Sequence, residues 1–396
     1  MISLRDQPRR ELGGPDPLDR RINAPPLTGL QWMRSIFFTR SALGLAPSLT
    51  PAVIFLPLGA LLGPRSLHLF TPLVLARLDT AVTIALAVLG VIVGIAFARG
   101  LREAGRLLVA ASLESAITVA LVCGATIYFV HATGIPVGAP IAAIALALGL
   151  CASASSATSS SPDSEAAASV GTRVADLDDV LPIVLTTVAV PLLLPGTPAE
   201  LAISVAETVT LGLVVGVVGW LVFDRAESGA ERVVFVLGAL SLAGGAAAFL
   251  RVSALAVGLI AGAFWVLAPG LADRIVSEDL RRVQHPLIVL LLLAAGALWA
   301  PSNTVLWLLA PYLLFRLAGK CAGAWATAQF LDVRAGDLAA FLMPPGVLAV
   351  AFALNVRQVL PESAGETLVS VVAVGTAAFE LFAIAVLPRW RERKAS

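Results

Sequence analysis

The chain has 396 residues, of which 58% are hydrophobic and only 13% charged, with a mean hydropathy of +0.91. That leaves too little polar surface to cover a water-soluble globule, so the chain reads as a polytopic helical membrane protein. A formal net charge of +1, with basic residues scattered among short loops, gives no sign of a nucleic-acid partner.

Residues 1–28 are rich in Pro, Arg and Asp and read as a flexible cytoplasmic arm. Residues 29–47 are too short and too basic to span, and read as an interfacial segment. About twelve apolar runs then match the hydrocarbon thickness of a bilayer, at 48–63, 78–98, 107–130, 137–157, 177–195, 201–223, 232–249, 253–268, 285–300, 304–328, 338–358 and 366–388. A basic tail, 389–396, follows. Placing the N-terminus in the cytoplasm puts 21 of the 27 Lys and Arg residues on that side. Only Arg65, Arg77, Arg251 and Arg357 then face outward, and Arg316 and Lys320 lie inside the tenth run. This predicts twelve spans with both termini cytoplasmic, in a cell inner (plasma) membrane.

Two runs are interrupted. The fourth passes from Cys151 into a Ser/Thr-rich stretch with Pro162, and the eleventh contains Met343-Pro344-Pro345-Gly346, which must break a helical hydrogen-bond ladder. Broken helices at corresponding positions of two halves point to a transporter built from inverted repeats, with its ion site at the breaks. The fourth run would correspond to the eleventh, the third to the tenth and the fifth to the twelfth.

Charges at membrane depth are costly and mark function. Asp178 and Asp179 open the fifth run, which carries no further charge until Glu200. Lys320 stands too deep for its stem to reach water and needs a carboxylate partner, and Arg316 one turn away suggests a second acid nearby. Adjacent aspartates point about 100° apart on a helix, so one can hold Lys320 while the other faces an ion path. Glu114, Glu207 and Glu380 are further acids within spans. His68, His131 and His285 fall at interfaces, and Cys123, Cys151 and Cys321 read as small apolar residues.

These residues resemble the monovalent cation/proton antiporter superfamily, the sodium/proton exchangers with an aspartate-pair signature. The resemblance is carried by Leu58-Gly-Ala-Leu-Leu-Gly-Pro64, Leu113-Glu-Ser-Ala-Ile-Thr118, Gly258-Leu-Ile-Ala-Gly262, Leu317-Ala-Gly-Lys-Cys-Ala-Gly323, Phe379-Glu380-Leu381 and, most specifically, by Asp178-Asp179 after a broken helix with a buried Lys320 five spans later. It implies an all-α fold of inverted repeats with two broken crossing helices. The transmembrane antiporter domain, 48–388, would hold a moving core (about 107–195 and 304–388) against a dimerisation domain, in a homodimer. It implies that Asp179 binds the monovalent cation or the proton and Asp178 pairs with Lys320. Thr158 and neighbouring serines such as Ser156 would supply oxygens at the crossover. Only about nineteen residues separate Thr158 from Asp178, a shorter link than is usual in the superfamily.

The expected activity is exchange of a monovalent cation, Na⁺ with Li⁺ and K⁺ as alternatives, for protons by alternating access, without a cofactor. Two other classes compete: an intramembrane aspartate-dependent enzyme, and an organic-anion transporter or channel. Paired acid–base chemistry needs carboxylates from two helices meeting at one water, which adjacent aspartates do not supply alone. Lys320 would suit an anion, but the surplus of buried acids favours a cation.

Overall fold

The computed structural model describes residues 50–155 and 165–395, apart from residues 104, 224, 270, 271 and 332. The arm at 1–28, the segment at 29–47, Ser156 and Thr158 therefore lie outside the described residues. Within them the chain is helical: α1 Pro51–Leu62, α2 Pro72–Glu103, α3 Gly105–Thr133, α4 Ile141–Ser153, α5 Glu165–Leu177, α6 Val180–Leu192 and α7 Pro198–Phe223 are followed by α8 Gly229–Leu250, α9 Ala254–Leu267, α10 Ala272–Ala297, α11 Asn303–Leu331, α12 Ala335–Leu342, α13 Gly346–Arg357 and α14 Glu362–Ala395.

Six of these (α2, α3, α7, α8, α11 and α14) are long and apolar enough to cross a membrane, and α12 with α13 forms a bent pair. The shorter apolar helices α1, α4, α9 and the second half of α10 (Val283–Ala297), with the α5–α6 run, account for the remaining spans read from sequence. The protein is thus an all-α polytopic membrane protein. Exposed apolar side chains on α7 and α8, such as Leu213, Val217 and Phe249, suit contact with lipid. The positively charged residues expected after the last span are carried on α14, which runs to Ala395.

Small residues decide which helices meet. Gly90 and Gly94 of α2 face Gly258 and Gly262 of α9, and a Cβ built on any of the four would stand 2.0–2.3 Å from a carbonyl oxygen of the other helix. Only glycine permits this approach, and the α2–α9 pair is the most extensive helix contact in the bundle. Gly319 and Gly323 of α11 lie less tightly against α3, where a Cβ would stand 2.9 Å from Thr118 and from Glu114. This spacing brings α11 close enough for Lys320 to reach Glu114. Helices α3, α4 and α11–α14 form one packed set, while α1, α2 and α7–α10 form another, with α1 against α10 and α7 and α8 against each other and α9 or α2.

Both expected breaks are relevant to the core. Helix α4 ends at Ser153, and Ala154 leaves in an extended conformation, φ −58° and ψ 139°. Helices α12 and α13 are bent by 54° across Met343–Pro345, with Gly346 at φ 63° where a side chain would be strained.

The fifth run differs from its sequence boundaries. It was placed at 177–195, opening on the aspartates, whereas helical backbone begins at Glu165 and reaches Leu192 with the aspartates in its middle. Asp178 N–H still bonds Val174 C=O at 2.9 Å and Ile183 N–H bonds Asp179 C=O at 3.2 Å, so α5 runs almost directly into α6. The interruption between them follows from Pro182. In a continuous helix residue 182 would donate to the carbonyl of Asp178, and proline has no N–H to give.

Candidate functional site

The carbonyl that Pro182 leaves open is taken by Ser115 of α3, whose hydroxyl donates to Asp178 C=O at 2.5 Å. A missing backbone bond is thereby converted into a fixed link between the aspartate turn and α3. Asp178 and Asp179 are both buried, with 0% and 1% of their surface exposed. They stand inside the bundle, not as a solvated loop end.

Lys320 of α11 is fully buried and gathers the end of α4, the aspartate turn and α3 around one ammonium group. It lies 3.0 Å from Glu114 Oε1 and 3.4 Å from Asp178 Oδ2, and donates to Ser155 Oγ at 2.7 Å and to the carbonyl of Ser153. Ser155 in turn donates to Asp178 Oδ2 at 2.6 Å, so one hydroxyl bridges lysine and aspartate. Thr118 donates to Glu114 Oε1 at 3.2 Å and steadies that carboxylate one turn along α3. Asp178 therefore meets Lys320, as the resemblance implied, but Glu114 is the nearer acid. Asp178 Oδ1 and Asp179 Oδ1 are buried and have no hydrogen-bond partner among the described residues. An unpartnered carboxylate oxygen at this depth is costly, and it is the feature a bound ion or proton would relieve.

Arg316, also fully buried, does a different job from the one its spacing suggested. The second acid expected nearby is there, since Glu114, Asp178 and Glu380 all lie within electrostatic reach, but none of them is its hydrogen-bond partner. Instead its guanidinium donates to the carbonyl of Ala152, to that of Ala154 at 3.1 Å and to that of Met343 at 3.1 Å, and lies 4.9 Å from the centre of the Phe379 ring. The last carbonyls of α4 have no intrahelical donor, and a cation at a helix C-terminus satisfies them and meets the negative end of the helix dipole. Arg316 thus ties the break after α4 to the break between α12 and α13. Glu380 supplies the opposite charge at the other break, where its Oε1 accepts from the N–H of Gly346 at 3.2 Å, at the positive end of α13.

The site accordingly collects Glu114, Asp178, Asp179, Arg316, Lys320 and Glu380 around the two breaks. Glu207 sits half-buried on α7 and has no place in it. His68, His131 and His285 are all exposed, as their interfacial positions suggested. Ser115, Ser153 and Thr118 escaped the reading of the sequence. Pro182, four residues after Asp178, was the signal for Ser115: it marks an acceptor that must find a donor elsewhere.

No protein-family profile matches the chain, and no curated protein matches it in sequence. Among solved structures, the chain is similar to the sodium proton antiporter MjNhaP1 of Methanocaldococcus jannaschii. The TM-score is 0.57 at 16% identity, over 86% of this chain and 90% of that one. The helical bundle, with its bent α12–α13 pair, therefore shares the fold of that sodium proton antiporter.

Proposed function

We propose that the protein is a secondary active transporter that exchanges a monovalent cation for protons across the membrane by alternating access. The observation that carries this reading is the buried cluster in which Glu114 and Asp178 share Lys320 while Asp179 follows with an unpartnered oxygen. Arg316 keeps its charge at the breaks, where Glu380 is the opposing acid, so Glu114, Asp178 and Asp179 are set against Lys320 alone. Such an excess of buried negative charge calls for a cation or for protons. A site that takes one or the other, but not both together, couples their movements.

In this reading Asp179 binds the cation or the proton and Asp178 alternates between Lys320 and the ion. Na⁺ fits the hard oxygen donors best, with Li⁺ and K⁺ as alternatives. Among the described residues no three His, Cys, Asp or Glu side chains converge as the ligands of one metal ion. The cation would draw its other oxygens from backbone carbonyls, water and the Ser156–Thr158 stretch. Residues about 107–195 and 304–388 would form the moving core and the rest of 48–388 the panel it moves against, in a homodimer. Both termini would be cytoplasmic, in a plasma membrane, with Arg65, Arg77, Arg251 and Arg357 outside.

The reading is tested with purified protein in liposomes containing a pH-sensitive dye. Adding Na⁺ outside should move protons. Asp179→Asn, which keeps the shape and loses the charge, should abolish that movement while inserting and eluting like the wild type. Full Na⁺-dependent proton flux in the variant would remove Asp179 from the role.

A further inference from the structure

Resting on the exchange reading, we propose that a polar cleft between α6, α7 and the α8–α9 turn is the outward leg of the cation route, and that the end of α13 is the gate that closes it. Thr186 lies seven residues beyond Asp179 on α6, hence on the same face and about 10 Å further along the axis. It lines a narrow cleft together with Thr187, Ser204, Thr208, Ser253 and Asn355. Thr186 and Thr208 are 3% and 1% exposed and their hydroxyls donate to the carbonyls of Ile183 at 2.8 Å and Ser204 at 2.7 Å on their own helices, which leaves their oxygen lone pairs as acceptors for something polar in the cleft. Arg251 stands at the exposed rim of the cleft, where water screens its charge.

The closing contacts all come from one stretch of α13 and its cap. Asn355 donates to Ser253 Oγ at 3.2 Å, across the cleft. Gln358 donates to Thr83 Oγ1 of α2 at 3.0 Å, and Arg357 reaches Asp79 of α2 at 3.5 Å. Asp79 and Thr83 are one turn apart on α2, so three residues at the end of α13 grip two elements of the other helix set. These contacts must part for the proposed core to move against α2 and α9. They are hydrogen bonds and one half-exposed ion pair, which hold a closed state without locking it.

The test uses the full chain with its three cysteines, Cys123, Cys151 and Cys321, replaced by serine or alanine, and with Thr208→Cys in the cleft. Labelling by a membrane-impermeant thiol reagent is followed from the outer side of oriented vesicles. Asn355→Ala should speed labelling roughly three- to tenfold, the range that one or two lost hydrogen bonds allow. Thr83→Val, which removes one contact from the α2 side and keeps the volume, should act in the same direction. The labelled Thr208→Cys protein should lose Na⁺-dependent proton flux. Labelling that changes by less than about twofold in both gate variants, or full flux after labelling, would overturn the proposal. Loss of the exchange reading is seen separately, as no Na⁺-dependent flux in the unlabelled wild type.

Discussion

At the scale of single residues, the cluster turns on how Lys320 divides its charge. Its ammonium has three protons and meets four acceptors, two of them carboxylates on different helices. Removing one member of a buried ion pair costs about 3–5 kcal/mol, because the partner is left charged and unpaired. Lys320→Gln should therefore destabilise the folded protein by about that amount, and Glu114→Gln should destabilise it less, since Asp178 remains to match the lysine. Combining them should recover a part of the loss, with a coupling of at least about 1 kcal/mol. Unfolding of the four proteins in detergent measures the cycle. Strict additivity would mean that Glu114 and Lys320 are neighbours without a working ion pair. Arg316→Ala belongs to another class of change, since it strips donors from three carbonyls and leaves both breaks without their common cation.

At the scale of elements, the two breaks have different origins, and that explains which of them was legible. The α12–α13 break is written in Pro344-Pro345-Gly346, because two residues without N–H groups and one that accepts φ 63° cannot continue a helix. The end of α4 was visible in the change from apolar to Ser/Thr residues after Cys151. Placement of the aspartates was harder. Pro182 inside an apolar run is compatible with a kink, a helix start or a tolerated proline, and the choice depends on whether another helix offers Asp178 C=O a donor. Ser115 does, from 63 residues away in the chain, and no local pattern announces such a partner. Glu114 was recognised as an acid at depth, but its pairing with Lys320 depends on Gly319 and Gly323 letting α11 approach α3. Pro182 and Ser115 should accordingly be coupled. Ser115→Ala strands a buried carbonyl and should cost about 1–3 kcal/mol in the native background. With Pro182→Ala, residue 182 regains an N–H that can bond Asp178 C=O, and the same Ser115→Ala change should cost below about 1 kcal/mol. An equal cost in both backgrounds would show that Ser115 does not stand in for the missing helical bond.

At the scale of the whole molecule, the exchange proposed above would respond to voltage through the charges of the site. Glu114, Asp178 and Asp179 carry three negative charges when ionised, Lys320 offsets one, and the charges of Arg316 and Glu380 at the breaks offset each other. Two protons neutralise the remainder, whereas one monovalent cation neutralises only half of it. The proton-loaded and cation-loaded forms therefore differ by one charge, and a cycle that moves two protons one way and one cation the other carries net charge across the membrane. A site with a single exchanging carboxylate would move equal charge in each direction and ignore voltage. Moving one elementary charge through 100 mV is worth about 2.3 kcal/mol, enough to shift the equilibrium cation gradient more than tenfold. The measurement is Na⁺ accumulation in proteoliposomes under a valinomycin-set potassium diffusion potential, without a pH gradient. Accumulation should rise steeply between zero and about 100 mV with the interior positive, because each cation taken up is exchanged for two protons leaving and one net charge moves outward. Equal accumulation at both potentials would reject the two-proton scheme and leave Glu114, Asp178 and Lys320 as a structural cluster around a single carrier, Asp179.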